Sequence, residues 1–135
     1  MTSVRVLVVH SDPADLVVLA TVVAANDFEL LVLEHTADLV SEALRFRPDA
    51  IVLDVKQRSG DGYELCKALK SHPTAQAIPL ILTSSLASPE AHRLAFNAGC
   101  DDFIEKPINR HVLAYRLHAF ARLRRAWERL SQEQA

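Results

Sequence analysis

Asp54 closes the apolar run Asp49-Ala-Ile-Val-Leu-Asp54, and the pair Lys106-Pro107 follows the last strand-like segment of the chain. A carboxylate and an ammonium, each set just after a buried run, suit a single site at one edge of a parallel sheet. The chemistry open to such a pair is nucleophilic: the carboxylate accepts a phosphoryl group, and the cation neutralises the charge that arrives. The bland readings are a strand-end acid and a solvated lysine. An unpaired acid directly after four apolar residues argues against the first, and Asp54 as a partner lifts Lys106 above the second.

Alternating patterns supply the elements that would bring the two groups together. Apolar stretches at 4–9, 28–33, 50–53 and 80–83, with a weaker one at 103–104, read as strands. Runs apolar on both faces are what a parallel sheet covered by helices requires. Helical patterns lie between them. Asp12 can cap the first, with Pro13 in its first turn, and 37–46 carries Leu39, Val40, Ala43 and Leu44 on one stripe. Asp61 and Glu64 form a capping-box pattern ahead of Leu65, Cys66 and Leu69. Ser88-Pro89 opens a fourth helix that Gly99 closes, and Asn109 starts a fifth.

Five strands, each followed by a helix, predict an α/β domain with a doubly wound five-stranded parallel sheet. Ligands of such sheets bind beyond the carboxyl ends of the strands, where the strand order reverses. For the order 2-1-3-4-5 that point lies between strands one and three. Their ends hold His10-Ser11-Asp12 and Asp54. The pair identified by chemistry falls where topology puts a site.

Composition bounds the rest. The chain has 135 residues, half of them apolar and about a quarter charged, which fits one globular domain with a full core. A net charge of −2 points neither to nucleic acid nor to an anionic membrane. Cys66 and Cys100 form no C-x-x-C pair and read as small thiols kept reduced. The apolar run at 16–25 is too short to cross a bilayer, and the start has no signal-peptide layout, so the expected compartment is the cytoplasm.

Val-Leu-Val-Val-His-Ser-Asp-Pro at 6–13, Ile-Val-Leu-Asp at 51–54 and Asp61-Gly62 are followed by Ile-Pro-Leu-Ile-Leu-Thr-Ser-Ser at 78–85. Ala98-Gly99-Cys100-Asp101-Asp102-Phe103 and Lys106-Pro107 complete the series. In this order and spacing the segments resemble the receiver domain of bacterial two-component response regulators, over about residues 4 to 123. The resemblance implies a flavodoxin-like receiver fold in a phosphorelay, with Asp54 as the phosphoacceptor and Lys106 as the lysine that neutralises the phosphoryl oxygens. Ser84, reached by counting back from Lys106, matches the hydroxyl that bonds the phosphoryl group, with Thr83 and Ser85 as its neighbours. Phe103 matches the aromatic ring that turns inward on activation, and Lys106-Pro107 matches a bond commonly cis. Taken alone, Ser84 would be a satisfied strand-end hydroxyl, Phe103 core, and Asp101 and Asp102 a solvated start to the fifth strand. The histidines show no metal-ligand spacing.

The chain departs from that pattern at the metal. Phosphoryl transfer to aspartate uses Mg²⁺, which wants oxygen ligands, and receivers of this type place an acidic pair directly after the first strand. Here the two positions are His10 and Ser11. Asp12 is the next acid, and capping the first helix is its expected task ahead of metal ligation. Ser11 offers a neutral oxygen, and Lys56 occupies the position whose backbone carbonyl would reach the metal. Arg58 stands where proline is common. A pocket holding fewer carboxylates should bind Mg²⁺ weakly, since unit charges ~4 Å apart interact by about 4 kcal/mol at an effective dielectric near 20.

The last helix outruns the domain. Leu113, Leu117, Phe120, Leu123, Trp127 and Leu130 recur at helical spacing, with Arg122, Arg124, Arg125 and Arg129 among them. Residues 1–123 are expected to form the receiver and 124–135 a helical extension or linker, or a contact within a homodimer. The expected partners are a sensor histidine kinase or phosphotransfer protein and a downstream output domain or protein. A phosphate-independent interaction module on the same fold is the second reading, with Asp54 and Lys106 held as a salt bridge. Enzyme readings lack their marks: Lys56 stands where a haloacid-dehalogenase-type phosphatase needs its second acid, no glycine-rich turn follows the first strand, and there is no G-x-S-x-G.

Overall fold

The structure is a computed structural model that describes residues 3–10, 12–33, 38–57 and 60–133. Ser11 and Arg58 therefore lie outside the described residues. Five parallel strands, β1 (Arg5–Val9), β2 (Glu29–Leu33), β3 (Ala50–Asp54), β6 (Leu80–Ser84) and β7 (Asp102–Glu105), make one sheet in the order β2-β1-β3-β6-β7. Setting aside a small hairpin, β4 (Lys56–Gln57) with β5 (Gly60–Asp61), this is the 2-1-3-4-5 order read from the sequence.

Helices α1 (Pro13–Ala25) and α5 (Arg110–Glu133) cover one face; α2 (Leu39–Phe46), α3 (Gly62–Ser71) and α4 (Pro89–Ala98) cover the other. The strand period of two decides which residue serves which face. Leu7, Val9, Ile51, Leu53, Leu80 and Leu82 pack with Leu39, Cys66, Leu69 and Ala95. Val6, Val8, Val52 and Ile81 pack with Leu19, Val22, Leu113 and Leu117. Each such aliphatic side chain contributes about 2 kcal/mol by leaving water. The three central strands are buried on both faces, which is why they lack polar alternation.

The helix starts follow local rules. Asp12 accepts from the Ala14 N–H at 2.9 Å, Asp61 from Tyr63 at 2.9 Å, Ser88 from Ala91 at 3.1 Å and Asn109 from His111 at 2.9 Å. Glu64 does not complete the expected capping box and turns to Lys67 at 3.3 Å. Gly99 ends α4 at φ +85°, a conformation that favours glycine. Asp101 is exposed and Asp102 starts β7 as expected, but both acids have partners. Asp101 accepts from the Leu80 N–H at 2.8 Å and pairs with Lys70 at 2.7 Å, while Asp102 pairs with Arg116.

Helix α5 runs unbroken to Glu133. Leu113, Leu117 and Ala121 face the core, and beyond them Arg125 donates to the Ser3 carbonyl at 3.1 Å and to Asp49 at 3.3 Å. Leu123, Trp127 and Leu130 are exposed. No helix among the described residues is long and apolar enough to cross a membrane.

Candidate functional site

The carboxyl ends of β1, β3 and β6 meet the first turn of α1 and the segment after β7, and they enclose a cluster of buried polar groups. Asp54 is 3% exposed at the end of β3. Lys106 reaches it from the far side of the sheet, with Nζ 2.7 Å from Asp54 Oδ2. The Lys106 N–H donates to the Ser84 carbonyl at 2.8 Å, which anchors the lysine's backbone to β6, and the Lys106-Pro107 bond is cis. Residues 52 apart in sequence thus meet at one rim.

A second carboxylate joins them that the sequence reading overlooked. Asp15 Oδ2 lies 2.7 Å from Lys106 Nζ, and Asp15 is buried. An acid in a helix's first turn ordinarily reads as a complement to the helix dipole. The signal that could have found it is its spacing: Asp15, Leu19 and Val22 sit at i, i+4 and i+7, and they are the buried residues of α1. Asp12, by contrast, spends one oxygen on the cap and stays exposed at the rim.

His10 replaces an acid with an imidazole that is 1% exposed. Its Nε2 is 3.1 Å from Thr83 Oγ1, and Thr83 in turn donates to Asp54 Oδ1 at 3.4 Å. Its Nδ1 is 3.5 Å from Asp15 Oδ2 and 3.8 Å from Asp54 Oδ2. Burial lowers the His10 pKa from 6.5, outweighing the pull of Asp54 and Asp15, so the ring is neutral near pH 7. Burial would also lower the Lys106 pKa, but hydrogen bonds to Asp15 and Asp54 raise it and keep the lysine charged. Two carboxylates against one ammonium leave the cluster net negative. The carboxylate-poor balance expected from His10 and Ser11 is therefore corrected by Asp15, a buried acid beside Lys106.

A cleft of about 540 Å³ opens over Asp54, lined by Asp12, Lys56, Asp61, Ser84 and Lys106 among others. The hairpin β4–β5 forms its wall, and the Gln57 amide donates to the Asp54 carbonyl at 2.6 Å and to the Val9 carbonyl at 3.0 Å. Gly62 lets α3 start against that wall: a Cβ there would fall 2.4 Å from the Asp54 carbonyl oxygen. Ser84 faces the cleft and accepts from the Leu86 N–H at 3.0 Å, whereas Thr83 points to His10 and Asp54. Phe103 packs on the core's edge, its ring 4.9 Å from that of His92 on α4. His10, Asp15 and Asp54 each offer a donor atom, and the three atoms lie within 4.8 Å of one another.

A sheet of this order with buried acids and a lysine at its switch point is the arrangement of a receiver, and comparison with known proteins agrees. The family model for the response regulator receiver domain matches residues 6–118, and the chain belongs to that family. It is 30% identical over 133 residues to response regulator PleD of Caulobacter vibrioides, covering 98% of this chain and 29% of that protein. It is 31% identical to response regulator MprA of Mycobacterium bovis, covering 89% of this chain and 51% of that protein. The chain thus spans less than a third of the one relative and about half of the other.

A solved structure of a putative response regulator from Chloroflexus aurantiacus matches with a TM-score of 0.81 at 25% identity, over 89% of this chain and 98% of that one. The receiver domain of sensor histidine kinase PA1611 from Pseudomonas aeruginosa has a magnesium ion coordinated in its active site cleft. It matches with a TM-score of 0.79 at 22% identity, over 89% of this chain and 98% of that one, a likeness of fold.

Proposed function

We propose that Asp54 accepts a phosphoryl group from a phosphohistidine of a sensor kinase or phosphotransfer protein, and that this switches a partner-binding surface. The observation that carries this reading is the 2.7 Å contact between Lys106 Nζ and Asp54 Oδ2 beneath an open cleft. One carboxylate oxygen of Asp54 forms the new bond to phosphorus as the phosphorus–nitrogen bond of the donor breaks. The donor imidazole leaves and takes up a proton. Lys106 follows the charge onto the phosphoryl oxygens, and Ser84, at the cleft wall, donates its hydroxyl to one of them. Phe103 then moves against α4, changing the surface between α4 and α5 for an output domain or protein.

Two carboxylates beside an imidazole fit a divalent cation, which when bound supplies positive charge to screen the incoming phosphoryl group. Asp15 and Asp54 are the carboxylates that would hold it, and Lys56, whose backbone carbonyl matches a metal ligand of the family, lines the same cleft. Residues 124–135 serve as a linker or as a contact with a second copy, a role supported by exposed Leu123, Trp127 and Leu130. Incubation with acetyl phosphate and a divalent cation, followed by intact mass, should show one added phosphoryl group. No gain in mass under conditions that label an ordinary receiver would remove the reading.

A further inference from the structure

We propose that the cation of this cleft is ligated by His10 Nδ1 together with Asp15 and Asp54, and that the site consequently selects a first-row transition dication of the cobalt or zinc kind over Mg²⁺. This rests on the phosphoacceptor reading only in sharing Asp54; the donor set is a separate observation.

Neighbours distinguish the two ring nitrogens. Thr83 donates to Asp54 Oδ1 at 3.4 Å and lies 3.1 Å from His10 Nε2, so Nε2 is engaged at the hydroxyl. Nδ1 faces the carboxylates. Among the described residues nothing hydrogen-bonds it, and it is buried with the rest of the ring. It lies 3.5 Å from Asp15 Oδ2 and 3.8 Å from Asp54 Oδ2. Those two carboxylates share the single ammonium of Lys106, which leaves one negative charge for a further cation to meet. Neutral imidazole with its other nitrogen held by a hydrogen bond is also the state in which histidine binds metals.

Spacing and donor type agree on the kind of ion. Two ligands each about 2.1 Å from one ion lie roughly 3.4 Å apart at the tetrahedral angle and roughly 3.0 Å apart at a right angle. The 3.5 Å between His10 Nδ1 and Asp15 Oδ2 matches the wider, tetrahedral case. Mg²⁺ demands octahedral geometry and oxygen, and gives up its waters reluctantly. Lys106 already holds both carboxylates at 2.7 Å, so any incoming ion competes with an ammonium. An ion that gains a nitrogen bond competes best.

The test is titration of the metal-free protein with Co²⁺ and with Mg²⁺ by calorimetry, and a proton spectrum of the Co²⁺ form. Co²⁺ should bind at least about tenfold more tightly than Mg²⁺, a change of the size seen when a partner of a metal site is lost. The spectrum should carry one strongly shifted, exchangeable imidazole N–H signal. His10→Gln should lose that signal, and His10→Asp should move the preference back toward Mg²⁺.

Mg²⁺ binding as tight as Co²⁺, no binding of either ion, or a shifted signal that survives His10→Gln would each overturn the proposal. The wild-type affinity ratio decides the matter even if a variant misfolds. Phosphoryl uptake without the Co²⁺ preference would sink this inference and leave the role of Asp54 standing; a nitrogen-bound Co²⁺ without uptake would do the reverse.

Discussion

Strand β3 is bracketed by two buried aspartates, Asp49 just before it and Asp54 at its end, and their surroundings differ in kind. Asp49 Oδ2 accepts from the Arg5 backbone N–H at 2.9 Å and from the Arg125 guanidinium at 3.3 Å, while its own N–H donates to the Arg5 carbonyl at 2.7 Å. Asp54 is held through side chains alone, Lys106 and Thr83. A carboxylate tied to backbone cannot leave its partners without disturbing the sheet. A carboxylate held by a flexible lysine and a hydroxyl can exchange them for a ligand. The amino end of the sheet is therefore built for anchorage and the carboxyl end for exchange, although both ends bury an acid on the same strand.

The largest effect should come from exchanging the two acids' fates. Asp54→Asn should abolish phosphoryl uptake from acetyl phosphate, read by intact mass, while Asp49→Asn should keep it. Loss of uptake in both would break the contrast.

Next in size, Lys106→Met leaves Asp15 and Asp54 buried beside each other with no cation. It should lower the unfolding free energy by about 3 kcal/mol, as breaking a buried pair from one side does. Urea unfolding measures it, and a cost near zero would mean that the carboxylates are less confined than their burial implies.

Gly62→Ala tests the wall of the cleft. Its Cβ would press on the Asp54 carbonyl, so stability should fall by about 2 kcal/mol, typical of overpacking. Uptake should slow as well, whereas an added methyl at the amino end should leave it alone.

The smallest effect is a pH dependence at His10. Folding lowers the pKa of this histidine below 6.5, so below that value the unfolded chain binds the proton more readily. The wild-type protein in metal-free buffer should therefore lose stability as pH falls from 6.5 toward the lowered folded value, by at most about 1.4 kcal/mol per pH unit. His10→Gln should flatten that part of the curve, and matching slopes in the two proteins would show the ring to be less shielded than its burial suggests.

Much of this molecule follows from short stretches of chain. The strands announce themselves as apolar runs because both faces are covered. The starts of four helices are written in Asp12, Asp61, Ser88 and Asn109, since a cap acts within its own turn. The contact of Asp54 with Lys106 was also legible, because parallel topology sends strand ends to a common rim. Asp101 was less so: its bonds go to Leu80 and Lys70, and nothing in its neighbouring residues names them.

The sequence by itself determined the order of elements, the sheet and the pairing of residues 54 and 106, because periodicity, capping and crossover handedness act locally or through topology. Only the tertiary structure decided that Asp15 joins Asp54 at Lys106, that His10 sets its Nδ1 beside both, and that Asp49 is tied to the backbone while Asp54 lies under an open cleft. Those outcomes depend on how α1 is rotated against β1 and where α5 crosses the sheet's amino end. Such rotations are set by packing of the whole core, and no segment carries that information alone.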